Sequence, residues 1–204
     1  MPKEHRGLYI FVTKYRPSSG VWWTRIQKLL KQWIHKASIG GVADHECIET
    51  AFDAQLSMEQ AMLDRTERSQ INTDYDQFLD TFDPPFFHKL LLAIGLPQVA
   101  ADLLLVMYTM IQRRMEIGKH VGKIFSSNRG FGQGDSMSLF AAPAITTIPF
   151  RFASYECPKV QLGSGIDDRN FRGHCSEVIR SVHYAIQFDD DAELTNNLSI
   201  FLTY

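Results

Sequence analysis

The reading of the fold turns on Arg129-Gly130-Phe131-Gly132-Gln133-Gly134-Asp135-Ser136-Met137-Ser138-Leu139. Three glycines at alternate positions give a backbone that can turn sharply and approach other groups closely. The apolar run that follows, Ser136 to about Ile148, predicts a helix. Upstream, Ile117–Phe125 reads as a hairpin around Gly118–Gly122, preceded by a long apolar helix over about Gln98–Met115. Gly95-Leu96-Pro97 separates that helix from another that opens at Asp83-Pro84-Pro85, where proline in the first turn is tolerated. Before it come an extended segment, Ser69–Tyr75, and a helix over about Glu46–Arg68. Asp44 is the expected N-cap of that helix, with Ile48, Phe52, Leu56 and Met62 on its apolar face. An amphipathic helix over Val21–Ala37 has Trp22, Ile26, Leu29, Leu30, Trp33 and Ile34 at helical spacing, with Arg25, Lys28 and Lys31 outside. Gly40-Gly41 ends it, and a strand-like Leu8–Thr13 precedes it. Downstream, residues 154–175 read as irregular. Val178–Phe188 reads as a strand stopping at Asp189-Asp190-Asp191, and Leu198–Tyr204 as another. This order predicts an α+β domain with a small, mostly antiparallel sheet packed on helices.

A chain of 204 residues with 45% hydrophobic content is long enough for one sizeable core and too apolar to be disordered. No apolar run approaches the roughly 18 residues that span a bilayer. Cys47, Cys157 and Cys175 are widely spaced and odd in number, without a CxxC pair. With no secretory signal, they point to a reduced intracellular protein of the cytoplasm or nucleus, with no membrane partner. His174-Cys175 is half a zinc site at most, and with the other half missing a surface loop is the better explanation. The net charge of -2 hides segregation. Residues 1–36 carry eight Lys/Arg against Glu4 alone, residues 44–83 are strongly acidic, and residues 112–129 are basic again. Alternating blocks suit a protein that holds a polyanion with some segments and cations with others, although solvated helix faces account for them equally.

Two acidic positions sit at expected strand ends: Asp74, and the pair Asp190-Asp191. Adjacent carboxylates repel unless a cation compensates. Oxygen-only ligands suit Mg²⁺, which takes one or two carboxylates and fills its shell with water and substrate phosphates. Two such ions about 4 Å apart can activate a 3′-hydroxyl and stabilise a leaving pyrophosphate. A solvated loop carboxylate is the alternative for each Asp taken alone.

In this setting, the opening stretch resembles the reverse-transcriptase segment written RGxxQGDPLS. Other motifs of that family follow in order. Lys14-Tyr15-Arg16-Pro17-Ser18 is similar to the "yRPIS" segment of the fingers, and Asp74–Phe82 to the first catalytic motif. Residues 84–97 are similar to a helix ending in "GiP", and Phe188-Asp189-Asp190-Asp191 to aromatic-x-Asp-Asp. The resemblance covers about residues 14–194. It implies a fingers-and-palm fold, fingers-like to about residue 70 and palm-like over 71–204. It also implies RNA-directed DNA synthesis from dNTPs on an RNA template with a DNA primer, using two Mg²⁺ ions with Mn²⁺ as a substitute. By the same carry-over, Asp74, Asp190 and Asp191 are the catalytic metal ligands. Lys14 and Arg16 would contact phosphates, Gln133 and Gly134 would lie against the templating pair, and Leu79 would stand at the sugar-selecting position.

Four departures qualify the carry-over. Val42 stands where the family places a triphosphate-gripping arginine, and valine cannot make that charge-assisted contact. Leu79 replaces an aromatic residue, with Phe78 one place early, and Ser136 replaces a proline. The chain stops soon after Asp191, leaving the thumb absent. These departures suggest a truncated, partly degenerate retroelement copy. The alternative is a catalytically inactive reverse-transcriptase-like remnant or RNA-binding module.

Overall fold

The computed structural model describes residues 15–42, 44–75, 78–131 and 135–203. The expected strand Leu8–Thr13, together with Lys14, Gln133 and Gly134, lies outside them. Helix α1 (Tyr15–Trp33) is followed by α2 (Cys47–Asp64), strand β1 (Arg68–Tyr75) and the short α3 (Phe78–Thr81). Next come α4 (Pro84–Ile94), α5 (Gln98–Thr109) and the two-residue strands β2 (Gln112–Arg113), β3 (Glu116–Ile117), β4 (His120–Val121) and β5 (Phe125–Ser126). Helix α6 (Ser138–Glu156), strands β6 (Gln161–Ser164) and β7 (Asp168–Gly173), helix α7 (Cys175–Asp191) and strand β8 (Asn196–Thr203) complete the chain. The main sheet is antiparallel in the order β6-β7-β1-β8. The α+β class and the small antiparallel sheet are as expected.

Strand β1 alternates between half-buried and buried residues along its length. Ile71, Thr73 and Tyr75 point into the core with Phe171 and Arg169 of β7 opposite them, and α7 packs on this face. Gln70, Asn72 and Asp74 point the other way, a polar face partly roofed by α2. The larger core lies beside the sheet and is heavily aromatic. Tyr75, Phe78, Phe82, Phe87, Tyr108, Phe131 and Phe140 are all buried, with Tyr75 stacked on Phe78 and Phe82 on Phe131. Trp22, Trp23 and Trp33 pack against this core.

Several elements differ from the sequence reading, each for an identifiable reason. Val178–Phe188 is not a strand but most of α7. Its buried residues Val178, Ser181, Val182, Ala185 and Asp189 recur at three- and four-residue steps, the helical period. Residues 154–175 contain the β6–β7 hairpin, hidden from the sequence because Gly, Ser, Asp and Arg dominate it. Helix α6 runs to Glu156, through Pro143 and Pro149, because burial on nearly all sides outweighs the lost hydrogen bonds. Helix α2 is capped by Glu46, not Asp44; Glu49 three residues on completes a reciprocal capping box. Its expected apolar face, Ile48, Phe52, Leu56 and Met62, is exposed, and the small Ala54 and Ala61 are buried instead. The long helix before the hairpin ends at Thr109, not Met115. No helix among the described residues is long and apolar enough to cross a membrane.

Candidate active site

The sheet register sets two aspartates opposite each other. Asp74, near the C-terminal end of β1, lies directly opposite Asp168, the first residue of β7. Cross-strand partners share a face and are about 5 Å apart at Cα, so the two side chains leave the same face of the sheet. Asp167 precedes Asp168 in the turn joining β6 to β7, which the Gly165 amide closes by donating to the Asp168 carbonyl at 2.9 Å. The Tyr75 amide donates to the Asp167 carbonyl at 3.4 Å, tying this turn to β1. Burial pushes the Asp168 carboxyl up from its ordinary value, and the neighbouring Asp167 charge adds to the shift.

Asp190 and Asp191 are not part of this arrangement. They are exposed at the end of α7, a helix that packs on the opposite face of the sheet from Asp74. The structure sets Asp168, not Asp190, opposite Asp74 on the neighbouring strand. The only buried member of the acidic run, Asp189, faces inward, where its carboxylate accepts from Arg169 at 2.6 and 3.1 Å. Arg169 also donates to the Thr73 and Tyr75 hydroxyls, each at 2.9 Å, and to Asn196 Oδ1 at 2.6 Å. Tyr75 and Asn196 donate in turn to Asp189, each at 2.9 Å. Burial keeps the Tyr75 phenol protonated and able to donate. Because Arg169 directly follows Asp168, this fully buried ion pair anchors the strand that carries the carboxylate.

One other segment abuts the acidic turn, and another docks just beyond the end of β1. Residues 37–40 run beside β6: the Ile39 amide donates to the Ser164 carbonyl at 3.2 Å and the Ser164 amide to the Ala37 carbonyl at 2.8 Å. Gly40 crosses the turn so closely that a Cβ there would sit 1.8 Å from the Gly165 carbonyl oxygen, so only glycine fits. Val42 follows two residues later. The start of the glycine-rich stretch docks on α3. The Gly130 amide donates to the Phe82 carbonyl at 2.7 Å, and the Phe131 amide to the Leu79 carbonyl at 2.6 Å. Gly130 has φ +87, and a Cβ there would lie 2.6 Å from the Asp80 carbonyl oxygen. On the far side of residues 132–134, Asp135 is buried and accepts from the Tyr108 hydroxyl at 2.5 Å. Phe131 is thus held at Leu79 and Asp135 at Tyr108. Arg16 lies in the first turn of α1.

A cleft of about 440 Å³ opens between the start of α2 and the polar sheet face, bordered by Cys47, Thr50, Asn72, Gly165 and Asp168. Among the described residues, no group of three or more His, Cys, Asp or Glu side chains is drawn together to hold a metal ion. The donor set suits an ion needing only one or two carboxylates. That describes Mg²⁺, whose remaining ligands are water and phosphate, and not a caged structural metal. Sequence reasoning missed Asp167 and Asp168 because Ile166-Asp167-Asp168 sits in a segment without strand signals, whereas Phe188-Asp189-Asp190-Asp191 follows an apolar run. The short polar hairpin after the α6 helix was the available clue.

No protein-family model matches the chain, and no curated protein matches it. Solved structures do. Apo telomerase from Candida tropicalis, truncated from its C-terminal domain, superposes with a TM-score of 0.66 at 12% identity, over 93% of this chain and 41% of that one. Telomerase from Candida tropicalis in complex with a fragment of telomeric RNA gives 0.64 at 12% identity, over 93% and 34%. The corresponding Candida albicans complex gives 0.64 at 11% identity, over 91% and 35%. The chain spans well under half the length of each. It shares its fold with part of telomerase, a reverse transcriptase-related enzyme.

Proposed function

We propose that this chain is the fingers-and-palm portion of a reverse-transcriptase-like nucleotidyltransferase, fingers-like to about residue 70 and palm-like beyond. The observation that carries the reading is the in-register pairing of Asp74 with Asp168 on adjacent strands, with Asp167 beside them. In this reading Gly165-Ile166-Asp167-Asp168 takes the place of the aromatic-x-Asp-Asp motif, with glycine where the aromatic residue stands. Asp74, Asp168 and Asp167 would hold Mg²⁺, with Mn²⁺ as a substitute. Bound there, Mg²⁺ would supply charge neutralisation at the reacting phosphates and a more acidic 3′-hydroxyl. The chain's own contribution is position. The β1–β7 register fixes the spacing of the carboxylates, the Arg169–Asp189 pair fixes the strand beneath them, and Gly40 lets residues 37–42 close against the turn. By the resemblance, Leu79 would stand at the sugar of the incoming nucleotide, and Gln133 and Gly134 against the templating pair. RNA is the expected template, with a DNA primer and dNTPs as co-substrates. Nothing in the fold argues for a retroelement origin in particular.

The test is extension of a DNA primer on an RNA template with dNTPs and Mg²⁺ or Mn²⁺. Wild type is compared with Asp74→Ala, Asp168→Ala and Asp190→Ala. Extension should vanish in the first two and persist in the third. Loss in Asp190→Ala with retention in Asp168→Ala would sink the assignment. A parallel calorimetric titration with Mn²⁺ reads the site without turnover, and binding should depend on Asp74 and Asp168. One observation favours a second reading, a non-catalytic RNA-binding module: Val42 follows the segment that abuts the acidic turn, where the family has its phosphate-gripping arginine. A chain that binds Mn²⁺ and RNA but never extends a primer would establish that reading.

A further inference from the structure

A second groove, of about 970 Å³, opens at the other end of the same polar sheet face, between α2, the Pro158–Leu162 segment and the ends of β1 and β7. Its charged lining is one-sided: Lys36, Arg68, Lys159 and Arg172 against Asp53 alone. Arg172 is the anomaly. It is 4% exposed, yet its Nε and Nη1 find no hydrogen-bond partner. Burial above all pulls its pKa down; the Asp53 charge opposes that shift and the neighbouring Arg68 charge adds to it. A buried guanidinium with idle donors beside a second guanidinium lacks an oxyanion, and its planar fork matches two phosphate oxygens. Lys36 and Lys159 stand exposed at the rim, where they could hold further phosphates. The groove is far larger than one phosphate ion needs, which favours a chain of phosphates over a single one. Arg172 lies four residues along β7 from Asp168, about 13 Å at strand spacing, so the two ends of the sheet face cannot grip the same phosphate.

We propose that this groove is a polynucleotide-backbone site, with Arg172 as its buried anchor and Lys36 and Lys159 as its rim. It is separate from the acidic pair, and a chain that fails to extend any primer would still possess it. The experiment measures binding of a fluorescently labelled single-stranded oligoribonucleotide to the full chain by anisotropy across a salt series. Wild type is compared with the Lys36→Gln/Lys159→Gln double variant and with Arg172→Lys. Each lost phosphate contact should lower the slope of log affinity against log salt by about 0.7, so the double variant should lose about 1.4. Arg172→Lys keeps the charge and loses the fork, so affinity should fall several-fold with the slope nearly unchanged. Thermal unfolding of each variant reads folding separately, and the lysine pair is on the surface, so the test survives if Arg172 proves intolerant of change. An unchanged slope in a folded double variant overturns the proposal. Thermal stabilisation by inorganic phosphate that is lost in Arg172→Lys, with RNA binding unaffected, would mark a free-phosphate pocket and overturn it too.

Discussion

Replacing Asp189 with alanine tests whether the buried ion pair beneath the acidic turn holds the sheet together. Both side chains are fully buried, and the Arg169 guanidinium meets four side chains: Thr73, Tyr75, Asp189 and Asn196. It also lies 4.1 Å from the centre of the Tyr75 ring. Asp189→Ala removes the one anionic partner of a desolvated cation and strips acceptors from Tyr75 and Asn196. Breaking one side of such a pair costs about 3–5 kcal/mol, against a total stability of about 5–15 kcal/mol for a domain. Urea unfolding followed by circular dichroism should therefore show a midpoint shifted far toward zero denaturant, or a variant partly unfolded in buffer. Asp189→Asn, which keeps one acceptor, should cost less, about 1–3 kcal/mol. The double replacement Arg169→Met/Asp189→Leu removes both charges and should be more stable than Asp189→Ala alone, a non-additivity that a pairwise cycle measures. If Asp189→Ala costs under about 1 kcal/mol, the pair does not anchor β7 and its placement beneath Asp168 has no structural weight.

Other consequences follow from single contacts. Val42→Arg should raise Mg²⁺-dependent primer extension, read as a lower KM for dNTP with kcat less changed; an unaltered KM would deny residue 42 any phosphate contact. Gly130→Ala places a Cβ at φ +87 and 2.6 Å from the Asp80 carbonyl oxygen, so it should cost at least about 1 kcal/mol in urea unfolding. A neutral result would mean that the docking of residues 130–131 on α3 is loose. Phe131→Ala removes a fully buried ring packed on Phe82, Phe87 and Tyr108 and should cost about 3–5 kcal/mol. His35 supplies a pH dependence. Its Nδ1 accepts from the Ala37 amide at 3.2 Å, so Nε2 carries the proton toward Ser154 Oγ at 3.0 Å. Burial lowers its pKa from the ordinary 6.5, with Lys36 and Arg151 adding to the shift. Its contribution is whole above pH about 6.5 and is lost as pH falls, because the unfolded chain takes up the proton first. Thermal melts of His35→Gln should show a shallower acid limb than wild type.

Much of the fold was legible because its motifs are local. Asp83 capping a proline-led helix, Gly95 closing it and the strand over residues 69–75 each depend on a few neighbouring residues, and each is found where expected. What could not be read was pairing. The short, polar strands β6 and β7 owe their existence to β1 beside them, and no periodicity within residues 154–175 announces that partnership. The site residues divide the same way. Asp74 stands at the end of a strand that reads as one, while its partner sits on a strand that does not. The run Asp189-Asp190-Asp191 attracted the assignment because Val, Ile, Tyr and Phe before it resemble a strand, although the steps from Val178 through Val182 and Ala185 to Asp189 are helical. That helical reading carries a physical demand. It places one carboxylate, Asp189, on the buried stripe, and a buried carboxylate requires a buried cation. The cation it finds is Arg169, the residue after Asp168. The acidic run is thus tied to the candidate site from below the sheet, as the counter-charge of the strand that presents Asp168 to Asp74.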